Sequence, residues 1–261
     1  MATVTSFDPK ELEAKVKAMY RSVAENPHGD FHFEMGRAMA ERLGYAPEDL
    51  DRVPPEAIES FAGVGYYFHL ADLKPGEVVV DLGSGSGMDV FFAAERVGPS
   101  GTVVGVDFTS EQLAKARRIG AESGYSQVEF REGRIERLPA DAESCDCVIS
   151  NGVINLAPHK AAVFAEAARV LKPGGRLAIA DIISEQQMKE SIVCDADLWA
   201  SCIGGAAQQD AYREAIEGAG LRIVEVRDNP YEFISQRARD ASAKYGVKSV
   251  SLLAEKPAST A

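Results

Sequence analysis

The chain has 261 residues, a length that fits one large α/β domain. Hydrophobic residues make up 46% of it and charged residues 26%, which is typical of a globular protein in water. The formal net charge of −12 would repel a phosphate backbone, so we expect no nucleic-acid partner. The first residues do not resemble a signal peptide, and no run of apolar residues is long enough to span a membrane. These features predict a cytoplasmic protein without a membrane partner.

Residues 1–75 are predicted to form an N-terminal helical cap, or lid, and not an independent domain. The first helix is predicted from apolar residues at helical spacing, which are Leu12, Val16, Met19, Tyr20 and Val23. A second helix is predicted near 34–43. The segment APEDLDRVPPEAIESF then predicts two short helices separated by prolines.

Residues 76–261 show short apolar runs that alternate with helical patterns, which is typical of a mostly parallel sheet flanked by helices. Seven strands are predicted, at 77–81, 102–107, 127–131, 145–150, 176–183, 221–227 and 247–255. Helices are predicted at 87–96, 110–123, 159–171 and 207–219. The last strand is expected to insert antiparallel beside the sixth. The predicted fold class is therefore an α/β, Rossmann-like domain.

The sequence VVVDLGSGSGMDV, at 78–90, joins the first predicted strand to the first helix of this domain through alternating glycines. A dinucleotide site needs glycine at the first, third and sixth positions of this turn. Gly83 and Gly85 fill the first two, but the sixth position is Met88, which disfavours a dinucleotide-binding oxidoreductase. No Gly-Lys-Ser/Thr sequence follows, which excludes a phosphate-binding loop. The pattern suits S-adenosylmethionine, a cofactor that carries no phosphate.

Acidic residues end the first two predicted strands of the domain. Asp81 is predicted to receive the methionyl ammonium of the cofactor. Gly83 and Gly85 lack a Cβ atom, so their backbone can approach the cofactor closely. Asp107 is expected to accept hydrogen bonds from the two ribose hydroxyls. The alternative is that the glycines form only a tight turn and that Asp107 only caps a helix.

The loop after the third predicted strand, EGRIERLP, completes the expected cofactor site. Ile135 is predicted to pack against the adenine. Glu136 lies beside it, and both a cofactor contact and a solvated surface charge are open for its carboxylate. The turn, Asp107 and this loop occur in the order along the chain that a site for S-adenosylmethionine requires.

Four stretches of the chain follow the pattern of a known enzyme family: LGYAPEDLDRVPPEAIESFAGVG, LKPGEVVVDLGSGSGMDVFFAAERVGPSGTVVGVDFTSEQL, SNGVINLAPHKAAVFAEAARVLKPGGRL and LWASCIGGA. In these stretches the chain resembles the class I S-adenosylmethionine-dependent methyltransferases, and within them the arsenite methyltransferases. The resemblance implies a Rossmann-like sheet, S-adenosyl-L-methionine as cofactor, and a place for Asn151 and Val153 in its site. The complete expected cofactor set is Asp81, Gly83, Ser84, Gly85, Gly87, Asp107, Phe108, Gln112, Ile135, Glu136, Asn151 and Val153.

The chain departs from the arsenite methyltransferases at the residues that bind arsenic. That family holds trivalent arsenic with cysteine thiolates, because arsenic is a soft electrophile toward sulfur. The resemblance places two of these thiols at Val64 and Gly152, and only the third, Cys202, is a cysteine here. The N-terminal stretch that carries cysteine in the family reads NPHGDFHFE. We therefore expect no arsenic site.

The remaining cysteines predict no metal site. Cys145 and Cys147 lie two residues apart in a predicted strand, so we expect both on one face, in the core. Cys194 lies in a presumed helix without an obvious partner.

Four residues are candidates for the acceptor side of the site: His28, His32, Tyr67 and Cys202. The two histidines flank Asp30 at i, i+4 spacing and could supply a base, or they could belong to a polar loop. Tyr67 belongs to an aromatic run that either forms a wall for the acceptor or packs the cap on the sheet. Cys202 is either a reactive thiol or a buried inert one.

These observations predict an S-adenosylmethionine-dependent methyltransferase that acts on a small-molecule acceptor. One alternative is an arsenite methyltransferase with a reduced thiol set. An alternative of another class is a non-catalytic protein that binds S-adenosylmethionine. The sequence does not indicate an oligomeric state.

Overall fold

The structure is a computed structural model that describes residues 9–29, 31, 33–189, 192 and 203–258. Five described helices precede the first strand: α1 (Pro9–Glu25), α2 (Arg37–Leu43), α3 (Pro47–Leu50), α4 (Pro55–Glu59) and α5 (Phe68–Ala71). The sequence predicts the first four of them and misses α5, which has only four residues. Prolines at the start of α3 and α4 separate these helices from the segments before them, as expected for a residue that fits only the first turn.

Eight strands form one sheet in the described part of the chain: β1 (Val78–Leu82), β2 (Thr102–Asp107), β3 (Val128–Glu132), β4 (Cys145–Asn151), β5 (Leu171–Ser184), β6 (Ala207–Gln208), β7 (Arg222–Asp228) and β8 (Val247–Glu255). Their order is β3-β2-β1-β4-β5-β8-β7, and the two-residue β6 pairs with β5. Strand β8 runs antiparallel to both of its neighbours. The predicted Rossmann-like sheet with an antiparallel last strand is therefore confirmed, with β6 as an addition.

Five helices and a short turn connect the strands: α6 (Met88–Val97), α7 (Ser110–Glu122), the 3₁₀ turn Ile154–Leu156, α8 (Lys160–Val170), α9 (Gln209–Gly218) and α10 (Gln236–Tyr245). No helix among the described residues is long and apolar enough to cross a membrane. The sequence does not predict α10, because its apolar face is narrow and consists mainly of Ala238, Ala241 and Tyr245.

The core lies on both faces of the sheet, because the parallel strands alternate their buried side chains between two helical layers. Val79 packs in one layer, with α6, α7 and the N-terminal helices, and Val80 packs in the other, with α8 and α9. Cys145 and Cys147 were expected on one face, and this is wrong. A register shift between them in the β4–β5 pairing places Cys145 in the second layer and Cys147 in the first.

The start of β5 also differs from the predicted strand at 176–183. The sequence predicts a gap between the helix at 159–171 and this strand, but β5 begins at Leu171, directly after α8. Leu171 pairs with Cys145 and Arg176 pairs with Cys147, so the proline and glycines between Leu171 and Arg176 bulge out of the ladder. The same irregularity therefore sets both the start of β5 and the faces of the two cysteines.

One buried carboxylate joins the N-terminal helices to the sheet. Asp89 lies in the first turn of α6, and its Oδ1 accepts a hydrogen bond from the Tyr45 hydroxyl at 2.6 Å. Its Oδ2 accepts from the Tyr67 hydroxyl at 2.8 Å and from Asn151 Nδ2 at 3.0 Å. Asn151 Oδ1 in turn accepts from the Val64 amide at 2.7 Å. Residues distant in sequence are thus fixed around Asp89.

The segment that connects α4 to α5 packs closely on the sheet, where serine hydroxyls bind its carbonyls and a glycine leaves room for its backbone. The Ser249 and Ser251 hydroxyls of β8 donate to the carbonyls of Val64 and Tyr66, at 2.6 and 3.0 Å. A Cβ atom on Gly65 would lie 2.0 Å from the side-chain nitrogen of Asn229, so only glycine fits there.

Replacing Tyr45 or Tyr67 by phenylalanine removes one donor from the buried Asp89 carboxylate. We expect the free energy of unfolding to fall by about 1–3 kcal/mol in each variant, because a hydrogen bond to a charged group is lost inside the core. Urea unfolding followed by far-UV circular dichroism measures this change.

Tyr125→Phe is the matched control, because the Tyr125 hydroxyl donates to Glu95 at 2.9 Å in an exposed position. Its loss should lower the free energy of unfolding by less than about 1 kcal/mol. Equal losses in the three variants would contradict a special role for Asp89 in joining the cap to the sheet.

Candidate functional site

A cleft with an open volume of about 1160 Å³ lies at the carboxyl ends of the parallel strands. Clefts at this edge of an α/β sheet are where such folds bind ligands, because loops from several strands converge there. The strand loops that follow β1 to β4 supply one part of its lining: Asp81, Gly83, Ser84, Gly85, Ser86, Asp107, Phe108, Thr109, Arg134, Ile135, Glu136, Asn151 and Val153. All of the expected cofactor residues line it except Gly87, which precedes α6 as its N-cap residue.

The loop after β1 needs its glycines for both backbone angle and space. Gly83, Gly85 and Gly87 have φ angles of 70°, 52° and 94°, a region that other residues rarely adopt. A Cβ atom on Gly83 would lie 2.5 Å from Val153 Cγ1. The Ser84 hydroxyl is buried on the cleft lining and has no hydrogen-bond partner, which suits a polar ligand in the cleft.

Asp107 ties the glycine loop to β2. Its Oδ2 accepts from the Gly85 amide at 2.9 Å, and its Oδ1 accepts from the Thr109 amide at 2.7 Å. Each carboxylate oxygen can accept a second hydrogen bond, so these contacts leave acceptor capacity toward the cleft. Asp107 thus orders the loop and also faces the space where a ligand would lie.

Three buried carboxylates give the cleft a negative character: Asp81, Asp89 and Asp107. Burial raises the pKa of Asp81 well above its usual range, and the nearby charges of Asp89 and Asp107 raise it further. Burial also raises the pKa of Asp89 and of Asp107, against the hydrogen bonds that each accepts. A cationic ligand would relieve this repulsion, because an opposite charge favours the ionised carboxylate.

The N-terminal region supplies further apolar lining of the cleft, which the sequence pattern did not predict. Its apolar members are Leu12, Val16, Tyr20, Ala57, Phe61 and Ala62. Helix α1 is attached beside the cleft by polar contacts. Both oxygens of Glu13 lie 2.8 Å from Arg134 Nη1, and Gln112 Nε2 donates to the Tyr20 carbonyl at 2.8 Å.

The acceptor-side candidates do not converge on this cleft in the part of the chain that the structure describes. His28 is exposed in the turn that follows α1. Tyr67 is fully buried, and its hydroxyl bonds Asp89 behind the cleft lining. His32 and Cys202 lie outside the described residues, as does Cys194. Among the residues that are described, no group of three or more histidine, cysteine, aspartate or glutamate side chains could hold a metal ion.

The family described as "methyltransferase domain" matches residues 73–220, which is more than half of the chain. The chain is a class I S-adenosylmethionine-dependent methyltransferase. It belongs to this family, its cofactor is S-adenosylmethionine, and it is similar to the arsenite methyltransferases.

Two curated relatives show that similarity. The chain is 37% identical to the arsenite methyltransferase of Halobacterium salinarum over 98% of its own length and 69% of the relative. It is 43% identical to the arsenite methyltransferase of Aquipseudomonas alcaligenes over 67% of its own length. The chain spans only about half of that second relative, 53% of its length.

Solved structures share the fold. An arsenic(III) S-adenosylmethionine methyltransferase from Chlamydomonas reinhardtii superposes with a TM-score of 0.63 and 28% identity, over 86% of this chain and 74% of that one. A geranyl diphosphate methyltransferase superposes with a TM-score of 0.65 at 18% identity, over 94% of this chain and 99% of that one. At such low identity the second match shows the fold alone.

Replacing Asp107 by alanine frees the backbone amides of Gly85, in the loop after β1, and Thr109, in the loop after β2, and removes a carboxylate from the cleft. We expect the dissociation constant for S-adenosylmethionine to rise about tenfold to a hundredfold, since charged hydrogen bonds are lost. Isothermal titration calorimetry measures this change, and thermal unfolding checks that the variant is folded.

The control is Asp228→Ala. Asp228 also ends a strand and pairs with Lys248 at 3.3 Å, but it is exposed and does not line the cleft. Its removal should leave the dissociation constant unchanged. Unaltered binding in the Asp107 variant would instead place the cofactor outside this cleft.

Proposed function

We propose that the enzyme transfers the methyl group of S-adenosylmethionine to a small organic acceptor with apolar surface, and not to arsenite. The single observation that carries this proposal is the contact between Val64 and Gly152, at the two positions where the resemblance to arsenite methyltransferases expects thiols. Both residues are buried, and a Cβ atom on Gly152 would lie 3.1 Å from Val64 Cγ1.

The cofactor is proposed to lie in the cleft along the loops that follow β1, β2 and β3. Asp81 would hold its ammonium, Asp107 its ribose hydroxyls, and Ile135 its adenine. When bound, S-adenosylmethionine supplies a methyl group that its positively charged sulfur activates for displacement. The fit is supported by the three buried carboxylates, which favour a cation, and by the glycine loop, which leaves space for close backbone contact.

The chain itself contributes alignment and the exclusion of water to methyl transfer. The loops that follow the strands supply one part of the cleft lining, and apolar residues of the N-terminal region supply another. An acceptor that enters between them meets Phe61 and its neighbours in the segment before Val64. This lining supports an acceptor with apolar surface.

The described cysteines do not offer soft ligands for arsenic. Burial raises the pKa of both Cys145 and Cys147 to about 12, so their thiols stay protonated at neutral pH. The Cys145 thiol donates to the Val170 carbonyl at 3.3 Å, inside the core. Neither residue lines the cleft.

The second candidate function is arsenite methylation with a reduced thiol set, and the similarity to named arsenite methyltransferases favours it. In that case Cys202 would be the remaining thiol of the site. The two candidates differ in whether arsenite is turned over and in whether Cys202 is needed.

Purified enzyme with arsenite, glutathione and S-adenosylmethionine should give no multiple turnover, because trivalent arsenic needs several thiolates on one centre. Mass spectrometry of methylated arsenicals measures the product. Multiple turnovers that disappear in Cys202→Ser would overturn this prediction and favour the second candidate.

The double variant Val64→Cys with Gly152→Cys should raise arsenite binding above its baseline. Cysteine at Gly152 must adopt a φ near 71°, which costs on the order of 1 kcal/mol, but the smaller residue at Val64 relieves the steric contact. The matched control is the same pair changed to serine, which has similar size and no sulfur. Equal arsenite binding in the cysteine and serine pairs would contradict the assignment of these two positions.

We also propose that residues 1–75 act as a cap over the site, with α1 as its cover. Deleting residues 1–25 should leave the sheet folded, weaken S-adenosylmethionine binding and abolish methyl transfer to any acceptor found. Circular dichroism and calorimetry measure the first two effects. Deleting residues 1–8, which keeps α1, is the control, and full affinity in the longer deletion would remove this role.

A further inference from the structure

The 3₁₀ turn Ile154–Leu156 and its flanks form one wall of the cleft. Val153, Leu156, Ala157 and Pro158 line the cleft there. Val153 also fills the space where Gly83 would carry a Cβ atom, so this wall packs directly on the glycine loop. The position of the turn therefore limits the position of the loop that is proposed to hold the cofactor.

A buried carboxylate on β5 holds the turn from its amide side. Asp181 is 1% exposed, and its Oδ1 accepts from the Asn155 amide at 3.3 Å and from the Ile182 amide at 2.9 Å. Its Oδ2 accepts from the Tyr212 hydroxyl of α9 at 2.6 Å. Asp181 does not line the cleft, so it acts through the turn and not on a ligand.

A lysine at the start of α8 holds the same turn from its carbonyl side. Lys160 Nζ donates to the carbonyls of Asn155 and Ala157, at 3.2 and 3.0 Å. Asn155 is therefore held at both ends of its backbone, by a carboxylate at its amide and by an ammonium at its carbonyl.

We propose that Asp181 and Lys160 are positioning residues for cofactor binding, which hold the turn Ile154–Leu156 against the glycine loop through their hydrogen bonds to its backbone. The proposal rests on the placement of S-adenosylmethionine in this cleft, under the function proposed above.

Asp181 loses its charge on the acidic side of neutral pH, and Lys160 loses its charge on the basic side. Burial raises the pKa of Asp181 to about 6, although the Tyr212 hydroxyl, the two backbone amides and Lys160 oppose the shift. Burial lowers the pKa of Lys160 to about 8, against the attraction of Asp181. Lys160 and Tyr212 are charged or titratable groups that act on Asp181, and Asp181 acts on Lys160.

Protonation of Asp181 and deprotonation of Lys160 should each weaken the hydrogen bonds that hold the turn. Below about pH 6 Asp181 becomes protonated, and the hydrogen bond from the Asn155 amide loses its charge-assisted part. Above about pH 8 Lys160 becomes neutral, and its hydrogen bonds to the carbonyls of Asn155 and Ala157 lose their charge-assisted part. Affinity for S-adenosylmethionine should therefore be highest between the two values.

The experiment is calorimetric titration of S-adenosylmethionine into the full chain from about pH 5 to about pH 9, for the unmodified protein and for Asp181→Asn, Lys160→Met and Tyr212→Phe. The readout for each variant is the ratio of its dissociation constant for S-adenosylmethionine to that of the unmodified protein at the same pH. The ratio cancels the titration of the cofactor amine and of the cleft carboxylates, which the proteins share. Thermal unfolding at each pH checks that the protein is folded.

For Asp181→Asn we expect a ratio of about ten at pH 7, because a charged hydrogen bond becomes a neutral one. The ratio should fall toward one at pH 5, where the unmodified protein has also lost the charge. For Lys160→Met the ratio should exceed one at pH 7 and fall toward one at pH 9.

Tyr212→Phe separates a positioning role from a merely structural one. The Tyr212 hydroxyl lowers the pKa of Asp181, so its removal should move the acidic midpoint of binding to higher pH. A change in packing or stability alone would not move that midpoint. This conservative variant decides the question even where Asp181→Asn fails to fold.

Asp146→Asn is the matched control. Asp146 also accepts a backbone amide, that of Val78 at 2.8 Å, and a lysine, Lys172 at 2.7 Å, but it lies at the opposite end of β4 from the cleft. Its ratio should stay at one throughout.

A ratio of one for Asp181→Asn at pH 7, or an unmoved midpoint in Tyr212→Phe, overturns the proposal. If Asp107→Ala weakens binding while these variants do not, only the positioning role fails. If Asp107→Ala also has no effect, the placement of the cofactor in this cleft fails with it.

Discussion

The structure depends on one buried carboxylate, Asp89, which lies where the glycine loop after β1 becomes helix α6. The N-terminus of a helix favours a negative charge, so the first turn is a suitable place for an ionised side chain that burial would otherwise disfavour. Because Asp89 accepts hydrogen bonds from Tyr45, Tyr67 and Asn151, the cap and β4 are fixed relative to the glycine loop. The two sides of the cleft are therefore set by the same group.

The segment before α5 has a backbone path that close packing fixes. Gly63 and Gly65 flank Val64 because a Cβ atom at either would lie within 2.6 Å of an asparagine side-chain nitrogen. Those contacts concern only the backbone path. The side chain between the glycines, that of Val64, is apolar and buried, and it lies close to Gly152.

The buried carboxylates of the cleft favour a cationic ligand over an anionic one. Asp81, Asp89 and Asp107 approach one another inside the protein, where repulsion between carboxylates is weakly screened. A cofactor with a positive sulfur and an ammonium reduces that repulsion, whereas an anionic ligand would increase it. The paired ions at the rim, such as Glu13 with Arg134, attach α1 without adding net charge.

The sequence by itself determined seven of the eight described strands, the glycine loop and the acidic residues near the ends of β1 and β2. These features depend on local alternation, on backbone angles that only glycine adopts easily, and on the rule that parallel strands end at one edge. The tertiary structure decided the role of Asp89, the apolar lining from α1 and the opposite faces of Cys145 and Cys147. Each of these depends on contacts between distant segments or on a register shift in the sheet, and neither leaves a periodic signal in the sequence.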